Sequence, residues 1–308
     1  NVFGGASMAY TGSYGTEPQG DATVNIGKKE NGVYFGDATI TGHVYGANNR
    51  RGTPVGDVEV NIYATHHEGA NFAPTLPSGT SEWTSELLMA NVNGTEPFEA
   101  PQDYALKAVF GGGDVAAYDP NQMGTRGHSP YARSTTVHVY SCANTIRDLY
   151  GGANAGDIGT TQNNADIDLI VDGGRMHRVF GGGNGEVHPA NVWGWANTTI
   201  NAGVIDTVFG GGNQTGSILH TDLQFTHNSP EGCDEYILDI FGGSNEAPII
   251  GDVTTTLACG SGSYNEFYGG ANNADIYGNV TLNVMGGTVK KLFGGSYSAD
   301  IMKVNDSI

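Results

Sequence analysis

Three stretches of this sequence place chemically useful side chains at useful spacing. The run His66-His67-Glu68 carries three metal-ligand types in succession. In an extended strand His67 would face away from the other two, so all three can share one metal only within a loop. A plain exposed polar loop accounts for them as well. Trp193 and Trp195 stand two apart in "VWGWAN", beside His188 and Asn191, and share one face if the segment is extended. Exposed indoles make sugar platforms, burying the apolar face of a pyranose while polar neighbours take its hydroxyls. Covering the edge of a core is the competing role. Trp83 and Tyr131, each in an insertion described below, extend the sugar-binding expectation.

Carboxylates raise two further chemistries. Asp157, Glu186, Asp275 and Asp300 fall six or seven positions after a recurrent aromatic. If stacked, they repel by roughly 1 kcal/mol per pair in water, so they need solvent, neutral neighbours or calcium. Calcium wants about six to eight oxygens, and the nine-residue calcium-binding repeat is absent; calcium is the one cofactor the sequence admits. Asp166 and Asp168 alternate along one strand, and Asp206 and Asp239 occupy comparable places in different repeats. Paired carboxylates of that sort hydrolyse glycosides. With only 13 Lys and Arg, the chain is poorly equipped to grip an anionic polymer, and no G-x-S-x-G, H-E-x-x-H or C-x-x-C occurs.

The 32 acidic residues against 13 basic give a net charge of −19, which disfavours nucleic acid and anionic membrane as partners. No apolar run nears the ~18 residues of a membrane span, so membrane insertion is not expected. The chain begins at Asn1 and reads as a processed or excised piece of a larger secreted product.

The elements that must position these groups are written as a repeat. "VFGGGN" occurs at Val179 and again at Val208, and an aromatic followed by Gly-Gly or Gly-Ala recurs at Phe3, Tyr45, Phe110, Tyr150, Phe180, Phe209, Phe241, Tyr268 and Phe293. From Tyr150 the intervals are 30, 29, 32, 27 and 25 residues, while the earlier 42, 65 and 40 contain insertions. Upstream of each aromatic lie period-two runs such as Val58, Val60, Ile62 and Val280, Leu282, Val284, which are strands, and no helical period is sustained. Each unit reads as about three short strands joined by glycine turns, and it cannot bury its own apolar face. Stacking in phase solves that.

The predicted fold is therefore all-β: one domain over 1–308, a single-chain parallel β-helix (β-solenoid) of about nine coils of ~25–30 residues. It is expected to be right-handed, with insertions at about 64–104 and 115–134. In the first insertion "SEWTSELLMA" reads as a short helix with Ser81 as its cap; the second carries Arg126, His128 and Arg133. Four residues after the aromatic an asparagine recurs at Asn49, Asn154, Asn184, Asn213, Asn245 and Asn272, with Asp114 in the third coil. It predicts a file of stacked amides at a corner, in a residue that tolerates left-handed backbone. The preceding glycines would supply the bend, and the aromatics a second column. Cys142 and Cys233 sit eight positions before their aromatics and Cys259 nine. That shared phase predicts buried apolar fillers, with Cys233 and Cys259, in successive coils, within reach of a bridge.

The pattern in "VFGGGN" and "YGGANNADIYGNVTLNV" resembles glycine-rich repeats in large secreted surface proteins of gut bacteria, of Bacteroidales type and some Firmicutes. The resemblance covers most of the chain and carries no catalytic residues. It implies an extracellular or cell-surface, non-enzymatic stalk or adhesin, binding a host or bacterial surface glycan or protein through its inserted loops. A β-helix polysaccharide lyase or glycoside hydrolase, and a filament subunit built by end-to-end self-association, are the rival expectations.

Overall fold

The computed structural model describes residues 1–12, 20–66, 104–119, 134–161, 164–260 and 262–302. Among them there is no helix. Two all-parallel sheets are wound from alternating strands, as a parallel β-helix of about nine coils requires. The first sheet holds nine strands, Val2–Phe3, Ile40–Tyr45, Leu106–Phe110, Thr145–Tyr150, Arg175–Phe180, Gly203–Phe209, Glu235–Phe241, Ser263–Tyr268 and Thr288–Phe293, hydrogen-bonded in that order. The second holds eight, Ala22–Ile26, Val58–Ile62, Ser134–Val139, Asp166–Val171, Val192–Ile200, Ile218–Phe225, Val253–Leu257 and Val280–Val284. Among the described residues each coil thus gives these sheets two strands, not three. The expected third shrinks to single bridging residues, among them Tyr118, Ile158, Ile249, Ile276 and Ile301.

Alternation decides what each strand buries. Val24, Val60, Val137, Leu169, Leu223 and Leu257 from the second sheet meet Val44, Val109, Leu149, Val179, Val208 and Ile240 from the first in one continuous core. The aromatics form a cluster of their own. From Phe3 through Tyr45, Phe110, Tyr150, Phe180, Phe209, Phe241 and Tyr268 to Phe293, successive ring centroids lie 4.7 to 5.1 Å apart, with planes within 11° of parallel. That distance is the spacing of neighbouring strands, so the ring stack follows from strand pairing in register.

The asparagines form the expected file. Asn154 Nδ2 donates to Asp114 Oδ1 at 2.8 Å, Asn184 to Asn154 at 2.8 Å, Asn213 to Asn184 at 2.8 Å, Asn245 to Asn213 at 2.9 Å and Asn272 to Asn245 at 2.8 Å. Every amide donates toward the N-terminal side, and the file ends there on Asp114, whose carboxylate only accepts. Asn49 does not join. The neighbouring Asn48, fully buried, instead ties down residues 6 to 11 through Ala6 N, Thr11 Oγ1 and Ala9 O.

The reason for the glycines also differs from expectation. Neither the ladder asparagines nor the first glycine of each corner has positive φ. A Cβ on Gly181 would instead run into the carbonyl oxygen of Gly210 and lie 2.5 Å from Thr198 Oγ1, and the same overlap recurs at Gly111, Gly151, Gly210 and Gly242. Glycine is written there because successive coils touch backbone to backbone. Gly181→Ala is expected to lower stability by about 1–3 kcal/mol, read as a drop in the urea midpoint; an unchanged midpoint would refute the close approach.

One element was not foreseen. Lys28–Glu30 and Val33–Phe35 pair antiparallel as a hairpin, turning on Asn31 (φ 53°) and Gly32 (φ 84°), the Asn-Gly signature of a tight hairpin.

Candidate functional site

The sites expected from sequence fare unequally. His67, Glu68, Trp83, Tyr131, Arg126, His128, Arg133 and the "SEWTSELLMA" segment lie outside the described residues. His66 makes a 3.0 Å contact through Nδ1 with Thr65 Oγ1. Among the described residues no three His, Cys, Asp or Glu side chains come together as a metal site. Two of the four carboxylates considered for calcium serve the neighbouring coil: Asp157 Oδ1 accepts from Asn191 N at 3.0 Å and Nδ2 at 2.8 Å, and Asp275 Oδ1 from Asp300 N at 3.3 Å.

The two tryptophans share one strand face, as expected. Trp193 and Trp195 alternate to the same outward side of strand Val192–Ile200, but a register shift falls between Val192 and Trp195. A Cβ on the intervening Gly194 would run into the Ala165 carbonyl and the Asp166 carboxylate, so this tight passage admits only glycine. The ring partner of Trp195 is His220 of the next coil, centroid to centroid 4.5 Å and 20° from parallel. Asp166 Oδ1 accepts from Trp195 N at 2.8 Å, and His220 Nδ1 accepts from Asp252 N at 3.0 Å. Two residues further along, Asn197 Nδ2 donates to Asp168 Oδ1 at 3.1 Å. A backbone N–H pointing at Nδ1 puts the imidazole hydrogen on Nε2. His220 had no signal in the sequence beyond its phase.

The outer face of the first sheet carries the charge pairs. Arg178 Nε bonds Asp148 at 2.7 Å and His177 faces Asp206 at 3.1 Å. Asp239 and Glu266 are in-register partners on successive strands. Glu266 pairs with Lys291 and accepts from Tyr268 OH at 2.7 Å, and these bonds hold its carboxylate below the usual range. Burial pushes Asp239 up, with Glu266 and Asp206 adding to the effect against the Asn265 hydrogen bond. A carboxyl raised on folding contributes stability below its unfolded pKa, about 4, that is lost as pH rises through the folded value. Asp239→Asn is therefore expected to raise the melting temperature at pH 7 and to leave it unchanged well below pH 4. An equal shift at both would refute the assignment.

A third assembly was missed entirely. The bridge is Cys142–Cys233, with Cα atoms 5.4 Å apart and a sequence separation of 91, and Cys259 is free and exposed. The cysteines are therefore not three buried fillers, and Cys233, expected within reach of Cys259, pairs with Cys142 instead. The coils of Phe180 and Phe209 lie between the two half-cystines, so the segment 226–234 must run back along the stack. Gly173 makes this path: a Cβ there would overlap Cys233 Sγ. Ser229 Oγ donates to Asp172 O at 2.7 Å, and Glu231 reaches Lys29 of the hairpin at 3.6 Å. Lys29 Nζ lies 4.4 Å over the ring of Tyr34, which stacks on Tyr63 and Tyr140. At the root of this clasp His227, at φ 54°, bonds Glu235, and Tyr264 OH donates to Glu235 Oε1 at 2.6 Å. Tyr264 is buried and the side chains of His227 and Glu235 are nearly so; bonded to one another, the three anchor the strap.

Comparison with models of known families, with curated proteins and with solved structures finds no match to this chain. The resemblance to gut-bacterial surface repeats rests on the repeat motif alone.

Proposed function

We propose that this chain is a rigid extracellular segment of a bacterial secreted or cell-surface protein, a non-enzymatic stalk or adhesin that presents binding surfaces along its flank. The observation that carries this reading is the disulfide between distant coils. Such bridges persist in oxidising compartments, and this one fastens the coil stack lengthwise over columns of amides and rings that already tie each coil to the next. Host or bacterial glycans or proteins are the proposed partners. Antibody labelling of intact producing cells tests the location. Surface label removable by external protease is expected, and label that appears only after permeabilisation would overturn the reading.

A hydrolase is the second reading, favoured by one observation: Asp239 and Glu266 are adjacent carboxyls pushed apart in pKa, as an acid and base require. Against it, Glu266 is already engaged by Lys291 and Tyr268. Release of reducing ends from neutral glycans, abolished in Asp239→Asn, would establish it.

A further inference from the structure

We propose that Trp195 and His220 form a binding platform for a neutral glycan on the outer face of the second sheet. This inference stands apart from the stalk reading, since a sugar site on a flank needs no particular cellular location.

The first support is exposure without slack. Trp195 is 41% exposed, yet its backbone is fixed by Asp166 and its ring by His220, which Asp252 fixes in turn. A large apolar side chain held open to water in one orientation has lost its freedom before any ligand arrives, which reduces what binding must offset. The second is geometry. One indole face is covered by His220; the other looks along the stack toward the preceding coil, where the residue bonded to Trp195 N, just before the paired Ile167 and Ala196, is the short Asp166. A pyranose ring can lie on that face with its C–H groups against the indole.

The third is polarity. Asp166 and Asp168 each turn Oδ1 to the coil above, toward Trp195 N and Asn197 Nδ2, leaving the second oxygen of each to accept from a sugar hydroxyl. His220 Nε2–H supplies a donor on the far side. The fourth is charge. No strand of the second sheet contains Lys or Arg, whereas Glu59, Asp166, Asp168 and Asp222 all face outward from it. Uronates and sulfated sugars are repelled from such a face, and polyols with only hydroxyl donors are admitted. The ligand class is therefore a neutral hexose or pentose polymer.

Affinity electrophoresis of the full chain through gels containing laminarin, mannan, xylan or polygalacturonate tests this. At least one neutral polymer is expected to retard the wild type and polygalacturonate to leave it unretarded. Trp195→Ala should weaken that retardation about tenfold or more, and Trp195→Phe should keep most of it. Both variants should melt with the wild type, because the indole contributes nothing to the core. Absence of retardation by every neutral polymer, stronger retardation by polygalacturonate, or Trp195→Ala binding like the wild type would each overturn the proposal. None of these results bears on surface labelling, so the two readings fail separately.

Discussion

Replacing Cys142 or Cys233 by serine is expected to lower the free energy of unfolding by about 4–5 kcal/mol, the loop-closure entropy for a crosslink spanning 91 residues. The loss arises in the unfolded chain, which regains the freedom of a long loop. The native columns do not need the bridge, so the reduced protein should still fold, with its urea midpoint lowered and its circular dichroism unchanged. Cys259→Ser is the control, since its thiol is exposed and unbridged. Thiol titration of the native protein should find one reactive group and find three after denaturation and reduction. Equal urea midpoints with and without reductant would refute the staple.

Asn184→Ala is expected to cost about 2–4 kcal/mol, because one truncation breaks three bonds in a buried place. Asn184 donates to Asn154, accepts from Asn213 and accepts from the Tyr150 hydroxyl at 3.2 Å. Of the partners left behind, Tyr150 and Asn213 are buried, and each buried polar group without a partner costs about 1–3 kcal/mol. Polarity sharpens the test. Asn184→Asp is expected to be as damaging at neutral pH, since a carboxylate cannot donate to Asn154 Oδ1 and would face it lone pair to lone pair. Asp114→Asn should be nearly neutral, because that position only accepts, from Asn154. Urea midpoints of the three variants decide it. Equal losses at positions 114 and 184 would show that the file is not directional.

What could be read from the sequence was whatever repeats. The aromatic column, the amide file from Asn154 to Asn272 and the alternation of core and surface each depend on a residue's place within its coil, and stacking in register converts that place into a position in space. Where the reading failed, the coil departs from its neighbours. In the second coil the amide work passes to Asn48, because residues 6 to 11 cross there and need its side chain more than the file does. The glycine corners were located correctly and explained wrongly: a sharp bend and a backbone-to-backbone approach both call for glycine, and only the overlap at Gly181 and its equivalents separates them. The hairpin at Asn31-Gly32 had a local signature that the search for longer periods passed over.

Sequence by itself determined the architecture, since each coil repeats one pattern and burying its apolar side leaves stacking as the solution. Tertiary structure alone decided the contacts that cross from coil to coil outside the repeat. Shared phase put Cys142 and Cys233 at one corner, but only the backward path of segment 226–234 brings their sulfurs together across two intervening coils. Likewise the ring partner of Trp195 is not the tryptophan two residues away but a histidine 25 residues on, because strand pairing sets Trp195 beside His220 of the next coil. A repeat fixes height and face around the axis; the course of a loop and the slip of a strand are global properties of the chain, and no local pattern encodes them.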